Sequence, residues 1–319
     1  MNEVDQTIKL NWSWKNEFGN HFRGKSVLVT GATGFIGSHL SEVLLSLGAV
    51  VYGIGLPCHY SKIVPGVDYL EADLIHDEII IQRLLTDISP SFIYHLAGLV
   101  DTRQDIEMVI PTLENNLIGS IKLLIALTKV SCERIIITGS SEAPINRYYP
   151  NSPYAASKLA LIGYANMFNK LYGLPVAVAR PFMCFGPHQP KDKLISSVIL
   201  SIINGHAPKL SSGERICDLI YINDMVRGLL WMAINENSVG QILDLGMGVG
   251  FTIREIVGVI SELMNSEFPP EFGILSDRIY DFPQIANLSD TTNIIGWKPL
   301  WTLNEAVVET INWYKKNPI

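Results

Sequence analysis

The sequence predicts an α/β fold built on a doubly wound parallel sheet, followed by a smaller C-terminal region. Three observations predict it. From Lys25 onward, short apolar runs alternate with longer stretches of helical periodicity, the pattern of parallel strands joined by right-handed helical crossovers. The first apolar run leads directly into Gly31, Gly34 and Gly37 and then into a helical pattern. After about Pro181 the alternation breaks into loops and shorter helices, and the Pro/Gly-rich stretch Phe185-Gly-Pro-His-Gln-Pro190 marks the change.

Residues 1–24 form an extension ahead of the first strand, with Trp12, Trp14, Phe18 and Phe22 spaced irregularly among polar residues. These aromatics are expected to pack on the domain surface or a neighbouring subunit; a lid is the alternative. Strands are expected near 26–30, 49–54, 67–70, 92–96, 134–138, 175–179 and 242–245, with long helices near 36–47, 111–129 and 153–172. No internal repeat or low-complexity linker interrupts the chain.

The run Val27 to Val29 reads as a buried parallel strand, and Ile36, Leu40, Val43, Leu44 and Leu47 as the apolar face of the next helix. Glycines at that junction allow a tight turn, close approach of backbone N–H groups to a pyrophosphate, and tight helix–strand packing. This assigns Gly31, Thr33, Gly34, Phe35, Ile36 and Gly37 to a dinucleotide. An NAD-specific site places an acid at the end of the second strand for the ribose 2′-OH, whereas this chain has Gly55 there, with His59 and Lys62 nearby and no arginine. The cofactor is therefore expected to be NADP or NAD, with NADP favoured. Asp68 and Glu71 belong to the third strand and are not that acid.

Tyr154-Ala-Ala-Ser-Lys158 puts a phenol and an ammonium four residues apart, on one face of a helix. Lys158 is expected to hold Tyr154 in a positive field that favours its phenolate. A tyrosine tuned in this way accepts a proton from a sugar or alcohol hydroxyl as a hydride leaves the carbon.

Composition narrows the class. At 319 residues and 48% apolar, the chain can bury a substantial core, and no stretch reaches eighteen uninterrupted apolar residues. A net charge of −7 disfavours nucleic acid and anionic membrane as partners. Cys58, Cys132, Cys184 and Cys217 are scattered with no Cys-x-x-Cys pair, which argues against zinc, any other metal centre and a disulfide framework. The N-terminal residues lack the apolar run of a signal peptide, so a cytoplasmic enzyme is expected.

Together these motifs resemble the extended short-chain dehydrogenase/reductase family, in its nucleotide-sugar epimerase/dehydratase branch. The resemblance runs from about Lys25 to Trp313 and includes Asp73-Leu74, His95-Leu-Ala-Gly98, Asn115-Asn116-Leu-Ile-Gly119 and Ile135-Ile-Ile-Thr-Gly-Ser140-Ser141. Ala179-Arg-Pro-Phe-Met-Cys-Phe-Gly-Pro187, Asp218-Leu-Ile-Tyr-Ile-Asn-Asp224 and Gly296-Trp-Lys-Pro299 continue it. It implies a Rossmann-type domain at 25–180 and a substrate domain at 181–319, interleaved because the strand near 242–245 returns to the main sheet. It adds Asp73, Leu74, Leu96, Ala97, Gly98, Asn116, Tyr154, Lys158 and Pro181 to the cofactor site, with Asp73 and Leu74 near adenine and Lys158 on the nicotinamide ribose. It makes Ser140 the hydroxyl that bonds the reacting oxygen beside Tyr154, and it implies a homodimer through paired helices.

Glu142 stands near where dehydratases and decarboxylases of the family place an acid that moves an α-proton; a solvated surface glutamate is the other reading. The segment from Ser140 to Tyr154 is shorter than is usual in the family and lacks its Val-Tyr-Gly turn. Ser141, Met183, Arg215 and Arg278 fall at substrate positions. Met183 stands where the family has an Asn, and Cys217 where it has an arginine, with Arg215 two residues earlier; Arg278 matches a diphosphate-contacting arginine. The expected activity is hydride transfer at a sugar carbon, C4, of a nucleotide-diphosphate sugar. The alternatives are an NADPH-dependent ketoreductase of a nucleotide-linked keto-sugar and a non-catalytic dinucleotide-sensing regulator.

Overall fold

The computed structural model describes residues 12–56, 62–145 and 149–317. His59 and Cys58 lie outside the described residues. A short helix α1 (Trp14–Phe18), capped by the Ser13 hydroxyl, precedes β1 (Ser26–Thr30), α2 (Phe35–Ser46), β2 (Val50–Gly55) and β3 (Asp68–Glu71). Then come α3 (Glu78–Ile88), β4 (Phe92–His95) and a helical stretch in three parts: α4 (Val109–Thr112), a π-helical segment (Leu113–Ile118) and α5 (Gly119–Leu127). β5 (Arg134–Thr138), α6 (Pro153–Tyr172) and β6 (Val176–Pro181) complete the first part. The remainder holds β7 (Met183–Phe185), α7 (Leu194–Ile203), β8 (Ile216–Tyr221), α8 (Ile222–Ile234), β9 (Ile242–Leu245) and β10 (Gly250–Thr252). It ends with α9 (Ile253–Met264), α10 (Leu288–Ile295) and α11 (Leu303–Lys316).

Seven strands form one parallel sheet in the order β3-β2-β1-β4-β5-β6-β9. The strand order reverses between β1 and β4, and the crevice at their carboxyl ends is where such sheets bind ligands. Helices cover both faces, which is why β1, β4 and β5 are apolar almost throughout. Side chains of one strand alternate between two cores: Val27 and Val29 enter one with α8, and Leu28 enters the other with Leu161 of α6.

The seven expected strands all form, within one or two residues of the expected bounds. Three features differ from expectation. A second, three-stranded sheet, β10-β8-β7, was not foreseen; two of its strands have three residues, too few to show a period. The helix expected over 111–129 starts at Val109 and widens to π geometry at Leu113–Ile118. Asn115 to Gly119 thus lie inside the helical stretch.

The described part of the N-terminal extension packs on its own chain. Phe18 and Phe22 are fully buried, Trp12 meets Trp301 at 4.9 Å between ring centroids, and Phe22 meets Phe92 at 5.3 Å. Among the described residues no helix is long and apolar enough to cross a membrane.

Candidate functional site

The glycine loop is built for close approach. Gly31 has φ +70°, and a Cβ there would stand 2.8 Å from the Ala97 nitrogen; at Gly37 it would stand 2.1 Å from the Gly31 carbonyl oxygen. Both positions exclude any other residue. Gly34 N-caps α2 without a side-chain hydrogen bond, and the first turn, which holds Phe35 and Ile36, carries no acid. The first amides and the positive end of the helix dipole are thus left to an anion from elsewhere. This cradle fits a dinucleotide pyrophosphate.

The end of β2 bears on the ribose. A Cβ on Gly55 would lie 2.9 Å from the Thr33 hydroxyl. Lys62 donates its backbone N–H to the Thr33 carbonyl at 2.9 Å, while its ammonium sits 2.5 Å from Glu42. That cation, on which the sequence argument for a 2′-phosphate partly rested, is already paired. Asp73 uses one carboxylate oxygen to accept the Ile75 N–H at 2.8 Å, shaping the turn after β3, and the Leu74 side chain is buried in the core.

Leu96, Ala97 and Gly98 follow β4, with the Leu96 N–H donating to the Thr30 carbonyl at 3.1 Å and that of Ala97 to the Thr30 hydroxyl at 3.3 Å. A Cβ on Gly98 would come within 2.9 Å of the Asn116 amide oxygen and 3.6 Å of the Lys158 ammonium. Asn116 accepts from the Leu99 N–H at 2.7 Å and donates to the Leu99 carbonyl and the Ser157 hydroxyl, each at 3.1 Å. These bonds tie the π-helical segment to the loop after β4 and to α6, in keeping with the use of π-bulges at functional sites.

His95 extends the network, a role sequence reasoning missed. Its Nδ1 lies 2.7 Å from the Thr30 hydroxyl and its Nε2 2.7 Å from that of Ser120, which donates to the Asn116 carbonyl at 2.6 Å. Burial, aided by the Lys158 charge, pushes His95 down to about 3, so the imidazole is neutral. Its motif was visible in the sequence; the partners were not.

Tyr154 and Lys158 occupy the start of α6, where Ser152 caps the helix and Pro153 takes its first position. Both side chains are buried. The Lys158 ammonium donates to the Thr138 carbonyl at 2.8 Å. The Ser140 hydroxyl accepts from the Glu142 N–H at 3.1 Å and lies close enough to Tyr154 to act on its phenol. Ser141 donates its N–H to the Pro181 carbonyl at 3.0 Å. The electrostatics differ from expectation. Burial pushes the Tyr154 phenol up to about 12, with Ser140 opposing and Glu142 reinforcing the shift. Burial also brings Lys158 down to about 8. In the protein without ligands, desolvation outweighs any positive field from Lys158.

The expected substrate residues divide. Met183, at the start of β7, packs partly buried against the core, and Cys217 is buried in β8, its thiol pushed up by burial; neither supplies a charge. Arg215 and Arg278 converge on one carboxylate. Glu142 lies 2.9 Å from Arg215 and 3.6 Å from Arg278. Arg215 also reaches Asp281 at 2.6 Å, and Arg278 donates to the Thr102 hydroxyl. Two more side chains hold these loops together: Gln104 donates to the carbonyls of Asn151 and Ile279, both at 2.8 Å, and Asn151 donates to that of Tyr280 at 3.4 Å. Sequence reasoning missed Asp281, Thr102, Gln104 and Asn151. Glu142 is therefore not a freely solvated surface group; it sits against two guanidinium groups.

The sequence model of the NAD dependent epimerase/dehydratase family matches residues 27–246. The chain belongs to this family. A putative UDP-glucose 4-epimerase of Methanocaldococcus jannaschii is 25% identical over 314 residues, covering 91% of this chain and 99% of that protein. The dTDP-glucose 4,6-dehydratase of Salmonella typhimurium is also 25% identical, covering 91% of this chain and 93% of that one. Among solved structures, MoeE5 in complex with UDP-glucuronic acid and NAD superposes with a TM-score of 0.82 at 26% identity, covering 91% of this chain and 99% of that one. Both epimerases and dehydratases of nucleotide sugars are thus similar to this NAD-dependent family member.

Proposed function

We propose that the protein acts on a nucleoside-diphosphate sugar as an epimerase or dehydratase, with Tyr154 as the general base. The supporting observation is a meeting of two groups. Ser140, Tyr154 and Lys158 gather beyond the carboxyl end of β5, and Glu142, two residues from Ser140, carries Arg215 and Arg278. Bound NAD supplies hydride-transfer chemistry, at a sugar carbon we take to be C4. Tyr154 takes the proton of the reacting hydroxyl, and Ser140 donates a hydrogen bond to the same oxygen. Lys158, held by Thr138, has its ammonium beside Gly98, where we place the cofactor. Residues 25–180 serve the dinucleotide and residues 181–319 the substrate, apart from β9, which lies in the large sheet.

Gly55 and Met183 favour the second activity, an NADPH-dependent ketoreductase. The Lys62–Glu42 pair counts against it by occupying a cation close in sequence to Gly55, and we read the resident dinucleotide as NAD. A complete Ser140, Tyr154 and Lys158 set counts against a non-catalytic sensor. Val109, Ile110, Leu113, Ile125 and Tyr164 leave apolar surface exposed along α4, the π-helical segment, α5 and α6, which supports a homodimer through these helices; light scattering reads this directly.

Tyr154→Phe is expected to lower kcat by roughly 10²–10⁴-fold, the usual worth of general acid–base catalysis, with NAD affinity and folding retained. A variant retaining more than about a tenth of wild-type kcat excludes Tyr154 as the base. Tight NAD retained through purification supports the epimerase/dehydratase activity, whereas preferential binding and turnover of NADPH supports the ketoreductase.

A further inference from the structure

The cleft cluster has a charge balance that bears on how substrate enters. Arg215 and Arg278 carry two positive charges; Glu142 and Asp281 carry two negative ones, all within 2.6–3.6 Å of a partner. The cluster is neutral as it stands. The diphosphate of a nucleotide sugar brings about two negative charges and needs guanidinium N–H groups, which bind phosphate best in pairs. Arg215 spends one terminal nitrogen on Glu142 and its Nε on Asp281, and Arg278 divides its terminal nitrogens between Glu142 and Thr102. Of the two carboxylates, Glu142 alone touches both arginines in these pairings.

We infer that Glu142 is a resident counterion, which the substrate diphosphate displaces from Arg215 and Arg278. This rests on the nucleotide-sugar function proposed above and adds a specificity-determining residue to it. With Glu142 in place, an anion gains only by outcompeting a carboxylate already seated on the guanidiniums. A neutral ligand makes no claim on the guanidinium groups, with or without Glu142, and so is indifferent to it. The diphosphate takes over the guanidinium edges and frees the Glu142 carboxylate. Its backbone N–H holds the Ser140 hydroxyl at 3.1 Å, so occupancy of the anion site is communicated to the Ser140–Tyr154 pair within two residues. Glu142 thus acts here through the arginines, as a positioning residue for the diphosphate.

The inference makes an unusual demand: removing a polar residue from the binding cleft must improve binding. Calorimetric titration of UDP, UMP and uridine into the NAD-loaded wild type and into Glu142→Gln and Glu142→Ala tests it. Both variants are expected to bind UDP about ten-fold more tightly than wild type, since a like charge a few ångströms from the ligand is removed. UMP should gain less and uridine nothing. The gain should vanish in the double variant Glu142→Gln/Arg278→Ala. Unchanged or weaker UDP binding by both variants overturns the inference, and so does an equal gain for uridine. A gain seen with UDP-glucuronic acid but not with UDP or UDP-glucose also overturns it, because the displaced contact would then belong to a sugar carboxylate. If wild type binds UDP and dTDP no better than their nucleosides, the nucleotide-sugar function fails together with the inference.

Discussion

Two glutamate–arginine clusters in this protein are chemically alike and physically opposite. At the N-terminal clasp, Glu17 of α1 accepts from Arg227 of α8 at 2.9 and 2.7 Å, from the Trp231 indole at 2.6 Å and from the Trp12 indole. Arg227 also donates to Asp224 at 2.9 Å and to the Lys298 carbonyl at 3.1 Å. Every partner comes from the chain itself, and the Arg227 side chain is 6% exposed. At the cleft, Arg215 is 26% and Arg278 37% exposed, and their pairings with Glu142 leave each guanidinium further N–H donors. A buried charge must be fully satisfied within the protein or it costs several kcal/mol. A half-exposed one keeps water and ligand as available partners. The first arrangement fastens the extension; the second leaves capacity for an anion.

The comparison breaks most readily at the clasp. Arg227→Met leaves buried Asp224 and partly buried Glu17 without their guanidinium partner and is expected to cost about 3–5 kcal/mol in chemical denaturation, the usual penalty for orphaning one partner of a buried pair. Asp224, which burial holds up at about 6 despite Arg227, can take a proton when its partner is lost. The KM for a nucleotide sugar should hardly move. A KM rise comparable to that of a cleft variant would show that the clasp also serves the site.

The cleft should respond the other way. Arg278→Ala is expected to raise KM about ten- to a hundred-fold through the loss of a charge-assisted hydrogen bond worth roughly 1.5–3 kcal/mol. Its effect on stability should stay below about 1 kcal/mol, as for other exposed pairs. Arg215→Ala should raise KM less and destabilise more, because Asp281 loses its partner. Wild-type KM values in both would remove the arginines from substrate recognition.

The smallest effect sharpens the comparison through pH. Burial acts to raise the Glu17 carboxyl, but the hydrogen bond and charge of Arg227, with the two indoles, outweigh it and leave it below its ordinary 4.5. A group depressed on folding stabilises above its unfolded value and loses that contribution as pH falls through the folded one. Wild type should therefore lose stability below about pH 4.5, and Glu17→Gln should lose less over the same interval. Identical acid profiles would show that the clasp carboxylate is not linked to folding.

Several parts of this site were legible from sequence because their information is local. The glycine loop declares itself over seven residues, since Gly31 and Gly37 are dictated by backbone approach. Tyr154 and Lys158 declare themselves by one helical turn. His95 was legible as a motif but not as the centre of a buried Thr30–His95–Ser120 chain. The π-helical widening at Leu113–Ile118 was invisible, because the sequence there is compatible with an ordinary helix; the bonds from Asn116 to Leu99 accompany it.

The alternation of strand and helix, the dinucleotide cradle and the Tyr–Lys turn follow from chain order, because the physical cause of each lies within a few residues. The roles of the charges come from how the chain folds. Glu142 and Arg215 are 73 residues apart, and Glu17 and Arg227 are 210 apart. Whether a glutamate is a solvated surface group, a fastening or a counterion depends on its partners and its share of solvent. Chain folding sets both, because charge interactions follow distance and local dielectric and not sequence order.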